Sequence, residues 1–433
     1  MVRRIVLTVL SLAAIGVLVL AVLAWRPSIA PIEVPAAANF PAPVVAKGEM
    51  LAGMGDCANC HTAKGGADYA GGLGLDSGFG VIYSTNITPD KDTGIGGWSE
   101  EAFARAMREG VARDGSQLFP AFPYTHFTQA SDEDIQALYA FFMTRTPVKA
   151  EEKKNGLPFP LNVRALQAGW KLLFFDKGRF QPVAAKGDEW NRGAYLAESL
   201  GHCSDCHTPL NALGAEKKAS RYAGAVVDGW YAPALNAASK SPIEWTSEHL
   251  YTYLRTGASI YHGVALGSMS DVVHKGLASM PDADVRAIAV YFDQVNGTPG
   301  SDAGLDQALT PLMARGKAEV HTASEPGADL YLGACVSCHY NGGEAPHAMR
   351  PELALSSTVN GPDPTNLIRI VLHGVGSKEG LPDGYMPGYA ASFSDADIAT
   401  LAGYLRRTRT SEPEWKDLSS KVAAVRKQLS ETP

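Results

Sequence analysis

The motif Cys-x-x-Cys-His occurs three times in this chain, and its three copies contain all six cysteines of the 433 residues. The copies occupy residues 57–61, 203–207 and 335–339. This motif attaches c-type haem, because its two thiols bind one porphyrin covalently and the adjacent histidine can reach the iron. Three copies therefore predict three covalent haem c groups with iron, and a chain that folds around them. The predicted haem-binding residues are Cys57, Cys60 and His61; Cys203, Cys206 and His207; and Cys335, Cys338 and His339.

Zinc sites and disulfide bonds are the alternative uses of paired cysteines. A zinc site joins two Cys pairs into one tetrahedron, whereas these pairs lie roughly 130 to 145 residues apart. A disulfide framework would not explain why a histidine follows the second cysteine of every pair. Covalent haem explains both features.

The N-terminus contains an apolar segment that predicts a membrane helix. Residues 5–25 carry no charge and follow Arg3 and Arg4. At about 1.5 Å per residue, such a helix spans a bilayer. The arginines favour a cytoplasmic N-terminus, which places the haem domains on the periplasmic side of the inner (cytoplasmic) membrane. We predict a signal-anchor over residues 1–26 and a Pro/Ala-rich tether over residues 27–42.

A cleaved signal peptide is the alternative interpretation of this segment. Its best cleavage position follows Ser28-Ile29-Ala30, but Pro31 comes next and should hinder cleavage. Either interpretation predicts export of the rest of the chain.

Three repeated segments surround the motifs. Each begins with a helix-like run that ends in Cys-x-x-Cys-His, and each closes with a helix whose first turn is acidic. The closing helices follow Ser131, Pro281 and Ser394, and apolar residues recur behind them at helical spacing. The predicted fold class is therefore all-α, with three tandem haem domains. The predicted domains are residues 43–150, 185–298 and 314–411, with a connector over residues 151–184 and a charged tail over residues 412–433.

Each haem iron needs a second axial ligand. Met386 is the predicted ligand in the third repeat, because it lies in a loop beside a proline, where core packing explains it poorly. Met269 is the predicted ligand in the second repeat. Met280 stands directly before the closing helix, where packing explains it. His262 and His274 are weaker rivals, expected to be surface or loop histidines.

The first repeat has no methionine in the corresponding loop. Met54 and Met107 align with leucines of the other repeats and are expected in the core, whereas Met143 aligns with polar residues and is expected to be exposed. His126 is the good iron donor that remains. We therefore predict that His126 and His61 both bind the iron of the first haem, and that this bis-His ligation gives the haem a lower reduction potential than His/Met ligation would. A five-coordinate iron, or one of these methionines as the ligand, stays open.

The attachment histidines also need an acceptor for their second ring nitrogen. We expect a backbone carbonyl close to the motif, around residues 62–63 or 208–209.

Several stretches carry a family resemblance. They are Asn-Ile-Thr-Pro-Asp at residues 86–90, Thr-Gly-Ile-Gly-Gly-Trp-Ser at 93–99, Pro-Phe-Pro-Leu-Asn-Val-Arg at 158–164, Ala-Gly-Trp at 168–170 and Glu-Trp-Asn-Arg-Gly-Ala-Tyr-Leu at 189–196. Over residues 45 to 410 the chain resembles the three-haem cytochrome c subunits of bacterial membrane-bound dehydrogenases. The resemblance implies cytochrome c-like domains that pass electrons from a periplasmic catalytic dehydrogenase subunit to ubiquinone or a terminal oxidase.

One residue bears on the partner. Alcohol dehydrogenase cytochromes usually carry Met where this chain has Phe122. The form Pro-Ala-Phe-Pro-Tyr-x-His-Phe resembles the cytochromes that accompany molybdenum hydroxylases acting on aldehydes or N-heteroaromatics. Quinoprotein and flavoprotein dehydrogenases of alcohols or sugars stay open as partners.

The remaining sequence predicts no catalytic residue. It has no Rossmann glycine fingerprint, nucleophile elbow or catalytic dyad, which favours a non-catalytic electron-transfer subunit. The net charge of −7 argues against nucleic acid as a partner. The alternatives are a peroxidase-like haem enzyme with an open coordination position and a haem subunit of a terminal oxidase.

Overall fold

The computed structural model describes residues 1–295, 299–318, 325–340, 346, 351–376 and 385–431. This part of the chain is mostly helical, in agreement with the predicted all-α class, but it also contains four short two-stranded antiparallel sheets that the sequence analysis did not predict. It forms two compact units. The first comprises residues 1–185 and 195–202, and the second comprises residues 186–194 and 203–433.

The elements of the first unit, in chain order, are α1 (Val2–Ala24), α2 (Ala42–Met54), α3 (Cys57–His61), β1 (Gly74–Asp76), β2 (Val81–Tyr83), α4 (Glu100–Glu109), α5 (Tyr124–Phe127), α6 (Asp132–Met143) and α7 (Leu166–Phe174). Helix α8 (Asp188–Glu198) is divided between the units. The second unit contains α9 (Cys203–His207), β3 (Ala225–Val227), β4 (Trp230–Ala232), α10 (Ser247–Thr256), β5 (Ala258–Ser259), β6 (Gly263–Val264), α11 (Ser268–Asp271), α12 (Asp282–Asp293), α13 (Leu305–Ala318), α14 (Ala328–Ala334), α15 (Val336–His339), α16 (Ser357–Asn360), α17 (Thr365–His373), β7 (Gly374–Val375), β8 (Met386–Pro387), α18 (Asp395–Arg409) and α19 (Leu418–Glu431).

The three closing helices α6, α12 and α18 begin directly after the residues that the sequence predicts as caps. The Ser131 hydroxyl accepts from the Asp134 amide at 3.1 Å. Ser394 forms a reciprocal capping box with Asp397. Pro281 has no side-chain acceptor, so α12 begins without such a cap. The acidic first turns still favour the positive end of each helix.

In each of the first two repeats, the opening helix crosses the closing helix of the same repeat at close range. A β-carbon on Gly48 of α2 would overlap the Ala137 carbonyl of α6. In the second unit, a β-carbon on Gly193 of α8 would overlap the Ala287 carbonyl of α12 in the same way. Only glycine allows the two backbones to approach so closely.

The third repeat has a similar crossing. A β-carbon on Gly327, directly before α14, would lie 2.9 Å from the Thr400 carbonyl of α18. Ala137, Ala287 and Thr400 each stand six residues after the residue that precedes their closing helix. The same helix pair therefore recurs three times along the chain.

The hydrophobic cores lie around these helix pairs. In the first unit, the core of α2, α4 and α6 includes Leu51, Phe103, Met107, Ile135, Leu138, Phe141 and Phe142. In the second unit, α14, α17 and α18 share a core with Trp415 and with Val422 and Val425 of α19. The helix of the predicted charged tail thus packs onto the last domain.

Helix α1 is long and apolar enough to cross a membrane, and none of its described side chains is buried. The chain after it runs against the first unit. The Gln117 side chain donates to the Ala24 carbonyl at 2.9 Å, and the Ile29 and Ile32 amides donate to the carbonyls of Arg113 and Gly97 at 2.8 and 3.1 Å. The first part of the predicted tether is therefore hydrogen-bonded to the domain that follows it.

Candidate haem-binding sites

Each Cys-x-x-Cys-His motif lies on a short helix that follows the opening helix of its repeat. The motifs form α3 after α2, α9 after α8, and Cys335 with α15 after α14. One helical turn therefore holds the two thiols and the imidazole of each motif together. No disulfide bond joins any of the six cysteines, all of which are among the described residues. Burial is the main cause that raises the pKa of Cys57 and Cys203 to about 12 and that of Cys335 to about 11, so these thiols are protonated at neutral pH.

The three motif histidines share one hydrogen-bond arrangement, in which Nδ1 contacts a backbone carbonyl. The three contacts are His61 Nδ1 to Thr85 O at 2.7 Å, His207 Nδ1 to Pro233 O at 2.6 Å, and His339 Nδ1 to Pro351 O at 3.1 Å. A carbonyl only accepts, so Nδ1 carries the proton and donates it. Nε2 of the neutral ring then keeps its lone pair for a metal. Burial lowers the pKa of all three imidazoles, which favours this neutral form.

The acceptors are backbone carbonyls, as expected, but their expected position at residues 62–63 and 208–209 is wrong. Thr85 and Pro233 lie 24 and 26 residues after their histidines. Each follows the second strand of a hairpin, β1–β2 or β3–β4, which returns the chain to the motif. Sequence reasoning missed these carbonyls because a carbonyl has no side-chain signature.

The loop between motif and hairpin has the same geometry in the first two repeats. The carbonyls of His61 and His207 accept from the amides of Gly71 and Gly224 at 2.7 and 2.8 Å. The next residue, a threonine in both repeats, accepts through Oγ1 from a tyrosine amide. These pairs are Thr62 with Tyr69 at 3.2 Å and Thr208 with Tyr222 at 3.0 Å. Both tyrosines have a φ of 61°. Two distant segments thus hold their histidines with the same contacts.

This donor set fits haem c. Each motif offers two thiols and an imidazole whose Nδ1 is already bonded and whose tautomer leaves Nε2 as the metal-binding atom. That arrangement is the one that metal-binding histidines commonly have.

The predicted sixth ligand of the third repeat packs against the same hydrophobic core as the Cys-x-x-Cys-His motif of that repeat. Met386 is in β8, where it pairs with Val375 of β7. It packs against the same hydrophobic core as Cys335 and Val336. The structure therefore brings the third motif and Met386 onto one core.

In the second repeat, Met269 lies half-buried on the short helix α11. Met280 is buried in the core, as its position before the closing helix indicated. His262 lies in a loop, as expected, and it is buried there. Its ring stacks on Trp245 with a 3.6 Å separation of centroids.

Both ring nitrogens of His262 are engaged. Nδ1 lies 2.8 Å from the Ser241 hydroxyl, and Nε2 lies 3.3 Å from Nδ1 of His249. Burial lowers the pKa of His262 to about 3. No nitrogen of His262 is therefore open to iron. His274 differs, because its Nε2 is buried with no hydrogen-bond partner among the residues that the structure describes.

In the first repeat, His126 is buried on α5, and its Nδ1 lies 3.2 Å from the Glu198 carbonyl. Met54 and Met107 are buried, which confirms their expected place in the core. The expectation that Met143 is exposed is wrong, since it is only 3% exposed. The last turn of α6 continues into the core of the first domain, and Met143 contacts that core.

The chain is similar to several known proteins. The Cytochrome c family model matches residues 45–146 and 324–409. The chain is 48% identical over 417 residues to a nicotinate dehydrogenase subunit of Pseudomonas putida, and the match covers 96% of this chain and 34% of that protein. It is 37% identical over 399 residues to the gluconate 2-dehydrogenase cytochrome c subunit of Pantoea cypripedii, with 89% and 90% of the two chains covered. It is 36% identical over 391 residues to the fructose dehydrogenase cytochrome subunit of Gluconobacter japonicus, with 86% and 80% covered. The chain thus spans about a third of the first relative and most of the other two.

Proposed function

Because this chain belongs to the family of cytochrome c subunits of dehydrogenases, we propose that it is an electron-transfer subunit with three covalent c-type haems. The arrangement of the motif histidines carries this proposal. In all three motifs, a backbone carbonyl holds Nδ1 and leaves Nε2 as the atom for iron. The threefold recurrence of the glycine crossing supports one haem domain around each motif.

The chain's contribution is to bind and orient these groups. Bound haem iron supplies one-electron redox chemistry. His207 with Met269 and His339 with Met386 are the proposed axial pairs of the second and third haems. For the first haem, we propose His61 with His126.

We propose that the electron donor is a catalytic dehydrogenase subunit with molybdenum chemistry toward N-heteroaromatics or aldehydes. Two observations support this. Identity to the nicotinate dehydrogenase relative is 48%, against 37% and 36% for the gluconate and fructose relatives. Phe122 stands where alcohol dehydrogenase cytochromes usually have Met, and its ring packs on Phe127 with centroids 5.4 Å apart. Ubiquinone or a terminal oxidase is the proposed acceptor.

We further propose that α1 anchors the chain in the inner membrane with the haem domains in the periplasm. The support is its 23-residue length and its apolar composition, with Arg3 and Arg4 at its N-terminal end. The mass of the mature chain tests this, since cleavage of a signal peptide would remove α1.

Purification of the tagged chain from its native membranes tests the proposed partner. Mass spectrometry of the co-purifying subunits should identify a large molybdenum-containing dehydrogenase subunit. A quinoprotein or flavoprotein subunit would change the partner within the family. A multi-span copper/haem oxidase subunit alone would contradict the proposal.

A further inference from the structure

We propose that α7 and the loop before it form a second membrane contact, which lies on the lipid surface beside α1. We call this segment, residues 159–174, the apolar strap. The inference rests on the proposed role of α1 as an anchor and adds a separate surface to it. The occupant that we assign to this surface is lipid, at the boundary between headgroups and acyl chains.

The strap exposes an unusual amount of apolar surface. Phe159 is 82% exposed, Leu172 is 71% exposed and Leu173 is 69% exposed, and Leu161 and Val163 are also exposed. Single exposed apolar residues are normal in soluble proteins, but several together mark a contact with a protein or a membrane. The strap therefore needs a partner.

Contact with α1 points to the membrane as that partner. A β-carbon on Gly169 of α7 would lie 3.8 Å from Leu20 Cδ1. Leu20 stands four residues before Ala24, the last residue of α1, which places this contact about 6 Å from the end of the helix. Helices that lie on a membrane bury their apolar face to about 5–10 Å in the same region. If α1 crosses the bilayer, its neighbour α7 lies at the depth of the lipid headgroups.

The polar contacts of α7 turn its apolar side outward. The half-buried Lys171 ammonium donates to the Glu109 and Gly110 carbonyls at 2.6 and 2.7 Å and to the Gln117 side-chain oxygen at 2.7 Å. Leu173 stands two residues later, which is about 200° around the helix from Lys171. The side of α7 that carries Lys171 is thus hydrogen-bonded to the first domain, and Leu173 lies on the opposite side of the helix.

Gln117 joins the strap to the anchor. Its side-chain oxygen accepts from Lys171, and its side-chain nitrogen donates to the Ala24 carbonyl at the end of α1. The two segments are therefore held by one residue of the first domain. Two tryptophans lie near the C-terminal end of α1, where we place the membrane surface. Trp25 follows α1 and is highly exposed, and Trp170 is in α7. Tryptophan is enriched where membrane proteins cross the lipid–water interface.

Site-specific photo-crosslinking in native membranes tests the inference in the full-length chain with its haems attached. The photoreactive amino acid p-benzoylphenylalanine is placed at Leu172, and a second variant carries it at Phe159 in case the first does not accumulate. Leu12 of α1 is the anchor control. Leu213, in the second unit and 56% exposed, is the matched surface control. Haem absorbance confirms that each variant is folded.

Lipid adducts at Leu172 or Phe159 and at Leu12, with none at Leu213, are the expected result. Lipid adducts at Leu12 alone, with Leu172 and Phe159 joined to another subunit or to nothing, would overturn the apolar strap as a lipid contact and leave the anchor intact. No lipid adduct at Leu12 either would overturn the proposed anchor and this inference with it. Co-purification of a dehydrogenase subunit is a separate measurement, so failure of the electron-transfer proposal would remain distinguishable.

Discussion

Replacement of Gly48 with alanine perturbs the helix crossing that closes the first domain. The added β-carbon would overlap the Ala137 carbonyl and lie 2.7 Å from Phe141 Cβ. Non-bonded carbons are most stable at about 3.5–4.0 Å, so α2 and α6 have to separate or distort.

The expected cost follows from two opposing effects. Extra volume in a packed core costs about 1–3 kcal/mol. Alanine in place of glycine within a helix returns at most about 1 kcal/mol. With a cost near the middle of that range, about 2 kcal/mol, and the full return of about 1 kcal/mol, the variant should lose about 1 kcal/mol of stability. In a domain of about 100 residues, each kcal/mol lowers the unfolding midpoint by about 4–8 °C.

Calorimetry of the holo-protein, with haem absorbance followed in parallel, measures this effect. Gly178→Ala is the control in the same unit, because a β-carbon there has no neighbour within 4 Å. That change should be neutral or stabilise by up to about 1 kcal/mol. Equal melting of the two variants would refute the tight crossing and the recurrent helix pair inferred from it.

Three further changes test the axial ligands and the strap. Met386→Ala should lower the reduction potential of one haem and remove the spectrum of its His/Met ligation. The control Met280→Ala truncates a core side chain, so it should cost about 2–5 kcal/mol of stability and change no haem spectrum. A redox titration in which both variants keep the wild-type potentials would count against Met386 as a ligand. His126→Ala should alter the spectrum of one haem and open it to carbon monoxide, and an unaltered spectrum would exclude His126 as a ligand. Lys171→Met removes the ammonium that donates to the Glu109 and Gly110 carbonyls and to the Gln117 side-chain oxygen. The Gly110 carbonyl keeps the Leu118 amide as a donor, so two acceptors are left without one, at about 1–3 kcal/mol each. Residues 151–184 should then become more sensitive to limited proteolysis, and wild-type resistance would show that Lys171 does not hold the strap to the domain.

Local patterns predicted the helix starts and the motifs well. Ser131 and Ser394 were recognisable as caps because a cap depends on a few adjacent residues. The Cys-x-x-Cys-His motif likewise combines its chemistry and its spacing within five residues.

Properties that depend on distant contacts could not be predicted in this way. The carbonyls of Thr85 and Pro233 reach their histidines only because hairpins return the chain. Alignment of the repeats predicted exposure for Met143, but the core of the first domain extends to the last turn of α6. His262 is buried because Trp245 stacks on its ring, a contact that no spacing rule describes.

The mass of the intact mature chain tests the central claim most directly. Denaturing mass spectrometry of the protein purified from its native host retains covalent haem and releases any other ligand. The account predicts the polypeptide mass plus three haems, and loss of one haem mass in a Cys57→Ala, Cys60→Ala double variant. A mature chain with two haems, or with none bound covalently, would contradict it.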